Sequence, residues 1–189
     1  MHVYEDRFPL VPQATFKPPH APLTDYLQVQ RVLGLSRAVI VQPNGYGFDN
    51  SCTLEALAAF GDAARAIATV PVDVEEAELE RLTRAGVRGA RFHFLPGGML
   101  AWDSLEPLAA RIANFGWHAQ LQFDGRELPR CEAALARLPV PLVIDHNGKF
   151  LEPVPTRRIA LAHRKSFPRP AAIAAILEAV AACRTNKAA

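Results

Sequence analysis

From residue 38 onward, short apolar runs alternate with amphipathic stretches. Ala38-Val39-Ile40-Val41-Gln42 is β-branched and nearly unbroken, the pattern of a strand buried on both faces. Thr53–Phe60 follows with helical spacing, opened by Ser51 or Thr53 as N-cap and stopped by Gly61. Ala66–Val72 reads as the next strand. Glu75–Ala85 sets Leu79 and Leu82 on one helical face and ends at Gly86. Val87–Phe94, Trp117–Phe123 and Pro141–Asp145 read as three more strands. Ser104–Phe115, stopped by Gly116, and Leu128–Leu138 read as the helices between them.

Strand, helix, strand at intervals of about 25 residues implies parallel pairing with crossover helices. Right-handed crossovers give either an open doubly wound sheet or a (β/α) barrel. No GxGxxG follows the first strand, and Gly45-Tyr46-Gly47 offers too few glycines for a phosphate cradle. Upstream lies a proline-rich stretch, Pro9, Pro12, Pro18, Pro19 and Pro22. It reads as a rigid extended connection or as a loop over the mouth of a site. Beyond Pro155 the alternation fails; Arg157–Pro170 has no period, and Ala171–Cys183 reads as one alanine-rich helix.

The chain has 189 residues, 50% hydrophobic and 21% charged, enough for one domain with a sizeable core. A net charge of +2 gives no reason to expect nucleic acid or an anionic membrane surface as partner. No apolar run reaches the roughly 18 residues of a transmembrane helix. No secretory signal is visible, and Cys52, Cys131 and Cys183 are widely spaced, so they read as reduced thiols of a cytoplasmic protein. The charge is uneven. Residues 157–189 hold seven basic side chains against Glu178 alone, so a slightly acidic body (1–156) is joined to a basic tail.

Active sites of parallel α/β proteins lie at the carboxyl ends of the strands. Polar residues expected there are Gln42, Asn44 and Tyr46, then Arg91 and His93, then Gln120, Gln122 and Asp124, then Asp145 and His146. His146 is the strongest candidate, because it follows an apolar run and precedes the tight turn Asn147-Gly148. Arg91 is either a structural arginine or an anchor for an anion through its planar fork. Arg88 is expected to face away from it and pair with helix acids. His93 shares Arg91's face and reads as a satisfied core histidine.

Met1-His2-Val3-Tyr4, Phe8-Pro9-Leu10 and Val41-Gln42-Pro43-Asn44-Gly45-Tyr46-Gly47-Phe48-Asp49-Asn50 resemble the opening of an amidohydrolase-superfamily TIM barrel. So do Gly86–Phe92, Gly116–Leu121 and Val143-Ile144-Asp145-His146-Asn147-Gly148-Lys149. The nearest pattern is that of the group containing 2-pyrone-4,6-dicarboxylate lactonase. The resemblance implies a partial (β/α)8 barrel of about six parallel strands with crossover helices over residues 1–156. It implies a hydrolase acting on a cyclic ester or related carboxylate-bearing small molecule, and a small-molecule carboxylate as substrate.

By that resemblance His2 stands for the second histidine of a His-x-His pair and His146 for the histidine ending the sixth strand. Both then serve catalysis or hold a divalent metal such as zinc, which lactonase-like members do without. Arg91, Lys149, Asn44, Tyr46 and Gln122 would hold the substrate. The family's first histidine and its Asp at the eighth strand have no match here. The chain as given is therefore expected to show no lactonase turnover, and the alternative is a non-catalytic binding module that self-associates as a homo-oligomer.

Overall fold

The computed structural model describes residues 1–147. Five strands, β1 (Ala38–Val41), β2 (Ala64–Ala68), β3 (Val87–His93), β4 (His118–Gln122) and β5 (Leu142–Ile144), lie in sequential order in one parallel sheet. Helices α2 (Ser51–Phe60), α3 (Glu76–Ala85), α4 (Leu105–Ala113) and α5 (Leu128–Leu135) connect them, giving part of a TIM barrel. Among the described residues Met1 adds a short extension along β1 to this five-stranded sheet. The Met1 ammonium donates to the Val39 carbonyl and the Val41 amide to the Met1 carbonyl, both at 2.8 Å, so the first residues run parallel to β1.

Two elements differ from expectation. β2 covers Ala64–Ala68 rather than Ala66–Val72, because its register with β1 starts from Ala38↔Ala64 and its first residues are small rather than β-branched. Helix α1 (Leu23–Val32), after Pro22, was not foreseen; Gln30 is its one buried residue, so it carries almost no apolar stripe.

The sheet has two chemically distinct faces. Register partners in a parallel sheet point to the same side. Ile40, Ala66, Ala90, Ala119, Phe92 and Leu121 share the helix-covered face and belong to the main core. Leu57 from α2, Leu79 and Leu82 from α3, and Leu108 and Ile112 from α4 close over them. Small alanines on the strands let the larger helix side chains approach. The Trp117 indole is buried at the start of β4 and donates from Nε1 to Thr83 Oγ1 at 2.9 Å, so its polar atom is satisfied.

The opposite face carries Val41, Ile67, Gly89, Arg91, His93, Gln120 and Gln122. Its polar residues increase toward the carboxyl ends of β3 and β4. Between Val87 and Gly89 the register against β2 shifts by one, leaving Arg88 as the extra residue. Arg88 donates to the carbonyls of Thr83 and Val87 at 2.8 and 2.7 Å, not to helix acids as expected, because the bulge turns it toward the end of α3.

Among the described residues no helix is long and apolar enough to cross a membrane. Cys52 and Cys131 are free thiols. Replacing the fully buried Leu82 by Ala is expected to cost about 2–5 kcal/mol by urea denaturation. Val32→Ala, at a side chain 85% exposed on α1, is expected to stay within about 0.5 kcal/mol in the same measurement.

Candidate functional site

A cleft of about 310 Å³ opens at the carboxyl ends of the strands. Arg91, His93 and Gln122 form its base, with His146 at the rim after β5. Asn44 enters from the loop after β1, and Leu95 and Pro96 from the loop after β3. His2 and Tyr4 come from the amino-terminal stub, and Thr15 and Phe16 from the proline-rich segment. That segment therefore reaches the mouth of the site while also serving as a connection.

Three loops are packed tightly enough to fix the mouth. Asn44 Nδ2 donates to the Gly97 carbonyl. Gly97 has φ +83°, a left-handed conformation that a side chain rarely adopts, and a Cβ there would lie 2.6 Å from Thr15 Cγ2. A Cβ on Gly98 would lie 1.8 Å from the His93 carbonyl oxygen, so the turn closes directly against β3. Asn44 is thus partly engaged in holding this turn beside the cleft.

Arg91 is 4% exposed and ties the site together. Its Nη1 donates to the Gln42 carbonyl at 3.0 Å and lies 3.4 Å from His2 Nε2. Its Nη2 donates to Gln122 Oε1 at 2.6 Å and approaches Asp145 Oδ2 at 3.4 Å. Its buried Nε has no hydrogen-bond partner among the described residues. Burial works against the guanidinium's charge and lowers its pKa, while Asp145 raises it.

His2 is exposed to the cleft, yet its ring is constrained. Nδ1 lies 2.7 Å from the Val41 carbonyl oxygen, an atom that can only accept, so Nδ1 carries the proton and Nε2 the lone pair. Loss of water around the ring base pushes its pKa down to about 4, and Arg91 adds to the effect. His2 is therefore a neutral acceptor at physiological pH.

His146 is the one non-glycine with positive φ among the described residues, at +54°. The turn holds because the His146 amide donates to Asp145 Oδ1 at 3.0 Å. The imidazole is half exposed, with Nε2 3.6 Å from Asp145 Oδ2. A sharp turn at this point swings the ring over the end of the strand. His93 Nδ1 lies 3.0 Å from Gln122 Oε1, across the β3–β4 register pair His93↔Gln122.

His2, Asn44, Arg91, Gln122 and His146 thus meet in one cleft. Tyr46 does not join them. It is 2% exposed, its hydroxyl accepts from the Glu5 amide at 3.0 Å and lies 3.3 Å from the Glu5 carbonyl, and it faces a separate pocket with Phe8 and Pro9. Burial pushes its pKa up to about 12. The one-turn helix Asn44–Tyr46 rotates the ring away from the sheet end and makes it a clamp for the amino-terminal segment. Lys149 lies outside the described residues, as does the basic tail.

His93, which shares Arg91's face but reads as a core histidine, lines the cleft, as do Tyr4, Thr15 and Phe16, which carry no site signal of their own. For His93 the signal existed, since it alternates with Arg91. For the others, distance along the chain concealed it. The residues present do not fit a zinc ion. No three His, Cys, Asp or Glu side chains cluster among the described residues, and the Arg91 guanidinium stands 3.4 Å from His2 Nε2, where a dication would be repelled.

Two outcomes are expected of this geometry. In an NMR titration the His2 ring protons should move with a midpoint near 4, against about 6.5 for an unconstrained histidine. Because the folded value is the lower one, protonation favours unfolding, so this group's stabilising contribution is lost as pH falls from about 6.5 toward 4. Tyr46→Phe should lower stability by about 1–3 kcal/mol in urea, since the Glu5 amide loses its acceptor.

Comparison with known proteins agrees with this architecture. An amidohydrolase family profile matches residues 1–183. The chain is 35% identical over 146 residues to a 2-pyrone-4,6-dicarboxylate hydrolase of Comamonas testosteroni, covering 76% of this chain and 48% of that protein. It is 35% identical over 162 residues to a D-galactarolactone isomerase of Agrobacterium fabrum, covering 82% and 54%. The chain thus spans about half the length of these curated relatives. A crystal structure of an Agrobacterium tumefaciens protein in its apo form superposes with TM-score 0.75 at 30% identity, over 94% of this chain and 62% of that one. A Pseudomonas putida structure assigned to 2-pyrone-4,6-dicarboxylic acid hydrolysis gives TM-score 0.68 at 35% identity, over 78% and 55%. Sheet order, cleft position and the match over residues 1–183 agree: the chain belongs to the amidohydrolase family.

Proposed function

We propose that this chain binds a carboxylate-bearing cyclic ester in the cleft and supplies part of the machinery for its hydrolysis. The observation that carries this reading is Arg91, a guanidinium buried at the cleft base whose one acidic partner among the described residues, Asp145, stands off at 3.4 Å. A ligand carboxylate reaching Nη2 from the cleft replaces the long Asp145 contact by a charge-assisted bond. Relatives named as hydrolases of 2-pyrone-4,6-dicarboxylate and of 4-sulfomuconolactone support a lactone as the reacting group.

In this reading the carboxylate anchors the ring against β3 and turns the ester carbonyl toward His2 and His146. His146 at the rim donates to the carbonyl oxygen as negative charge develops there. Neutral His2, with Nε2 as acceptor, orients the attacking water rather than holding a metal. Gln122 keeps Arg91 in place from below.

The test is calorimetric titration with 2-pyrone-4,6-dicarboxylate. Binding is expected, and Arg91→Met should weaken it about 10- to 100-fold, the loss of a charge-assisted pair. Equal affinity in the variant would sink the role of Arg91. Assaying the same mixtures for loss of the ester checks the expectation that the chain shows no turnover by itself.

A second reading, self-association, has one observation in its favour. Val143 and Ile144 on β5 are 43% and 37% exposed, an apolar edge beside the last described strand. Light scattering after gel filtration is expected to give a mass of two chains or more if copies pair there. A monomer at micromolar concentration would eliminate this reading.

A further inference from the structure

Helices α4 and α5 leave a groove of about 330 Å³ between them, on the helix-covered side of the sheet. Trp102, Leu105, Ala110, Cys131, Ala134 and Leu138 line it. Trp102 stacks on Phe94 with ring centroids 4.0 Å apart, yet it is 41% exposed, so much of a large aromatic surface stays in water. Ala110 and Ala134 are exposed and small, which allows close approach of another backbone.

The groove has a polarity. Both helices start at the carboxyl ends of the strands and run back toward their amino ends. At the starting end Glu106 lines the groove, and Asp103 and Glu132 are the chain neighbours of Trp102 and Cys131. All three carboxylates are exposed, and none forms an ion pair among the described residues. Arg137, the cation among the lining residues, stands at the opposite end.

We propose that this groove is the docking site of the chain's own segment Ala171–Cys183, laid antiparallel to α4 and α5. The segment lies outside the described residues, and its sequence supplies what the groove lacks. Ile173, Ile176, Leu177 and Val180 fall at i, i+3, i+4 and i+7, one narrow apolar stripe at helical spacing. Most other positions are alanine, so no bulky side chain holds the stripe away from two flanking helices. Arg184 and Lys187 follow the stripe, and Glu178 is the only acid from 157 to 189. Matching those two cations to Asp103, Glu106 and Glu132 sets the direction of the segment. That direction brings Cys183 to the end of the groove where Cys131 stands. Reach is sufficient, since residues 148–170 extended would span roughly 75 Å against about 13 Å for the length of α4.

Cysteine cross-linking of the full chain tests this arrangement, because the third thiol, Cys52, is buried. A short bismaleimide at pH 8 and low protein concentration is expected to join Cys131 to Cys183 within one chain. Mass spectrometry of tryptic peptides from the monomer band reads the link. Ile176→Asp should lower its yield about 10-fold, since a charge replaces a buried apolar side chain. Ala134→Glu, at an exposed position of α5, should do the same from the groove side. Acrylamide quenching of fluorescence gives a second readout. Trp102 and Trp117 are the chain's two tryptophans and Trp117 is fully buried, so quenching reports Trp102. It should increase in both variants.

Cys131 and Cys183 each modified singly, without a link, would overturn the docking. A link whose yield survives both substitutions overturns it too, as does quenching unchanged in both variants. A link found only between chains also overturns it and makes the segment of a second copy the occupant.

Discussion

A single buried guanidinium organises the upper end of this sheet. Arg91 emerges from β3 on the face without helices, where an isolated charge would be costly to desolvate. It is accommodated because three other segments supply oxygens: the Gln42 backbone at the end of β1, the Gln122 side chain on β4, and Asp145 after β5. Those contacts link the carboxyl ends of strands β1, β3, β4 and β5 around one group. Gln42 is itself held by Gly47 and Asp49 carbonyls and by Thr53 Oγ1 of α2. The constraint therefore runs from the cleft base into the helix layer, and the positions of the cleft side chains follow from it.

The same logic explains why the two faces differ. On the helix side, Ala66, Ala68 and Ala90 leave room for Leu57, Leu79 and Leu82, and each buried leucine contributes about 1.5–3 kcal/mol through the water it sheds. On the other face Val39, Val41, Ile67 and Val143 are apolar, and polar side chains take over toward the ends of β3 and β4. Gln120 shows the cost of such a surface, since its buried Oε1 has no partner among the described residues. Apolar burial is concentrated on one face and polar side chains on the other, and β3 carries both in alternate residues: Ala90 and Phe92 inward to the helices, Arg91 and His93 to the cleft.

How much of this could be read from the sequence depended on the physical origin of each feature. The β-branched run at Val39–Val41 and the Leu79, Leu82 spacing announce their elements because hydrophobic burial dictates them. Helix α1 escaped because it buries little, so its sequence carries almost no period. That Arg91, His2 and His146 share one cleft was legible through motif resemblance and strand-end position. Tyr46 looked equivalent, yet one turn of tight helix after β1 swings it toward Glu5, and no periodicity encodes that rotation. Thr15 and Phe16 reach the cleft through the path of an extended proline-rich segment, which depends on close packing against Gly97 rather than on local pattern.

Charge balance in the cleft connects the fold to its chemistry. Two cations within 3.4 Å would repel, and the site resolves this by keeping His2 neutral beside Arg91. Arg91 and the Met1 ammonium both feel Asp145, which lies 3.4 Å from Arg91 Nη2, too far for a good hydrogen bond. A short bidentate pair at that position would have stabilised the empty site and made any incoming carboxylate compete against it on equal terms. The bonds to Gln42 and Gln122 satisfy the buried guanidinium, and the long contact leaves much of its attraction for a carboxylate unused. The geometry of the turn at Asp145-His146 sets how far Asp145 stands from the guanidinium.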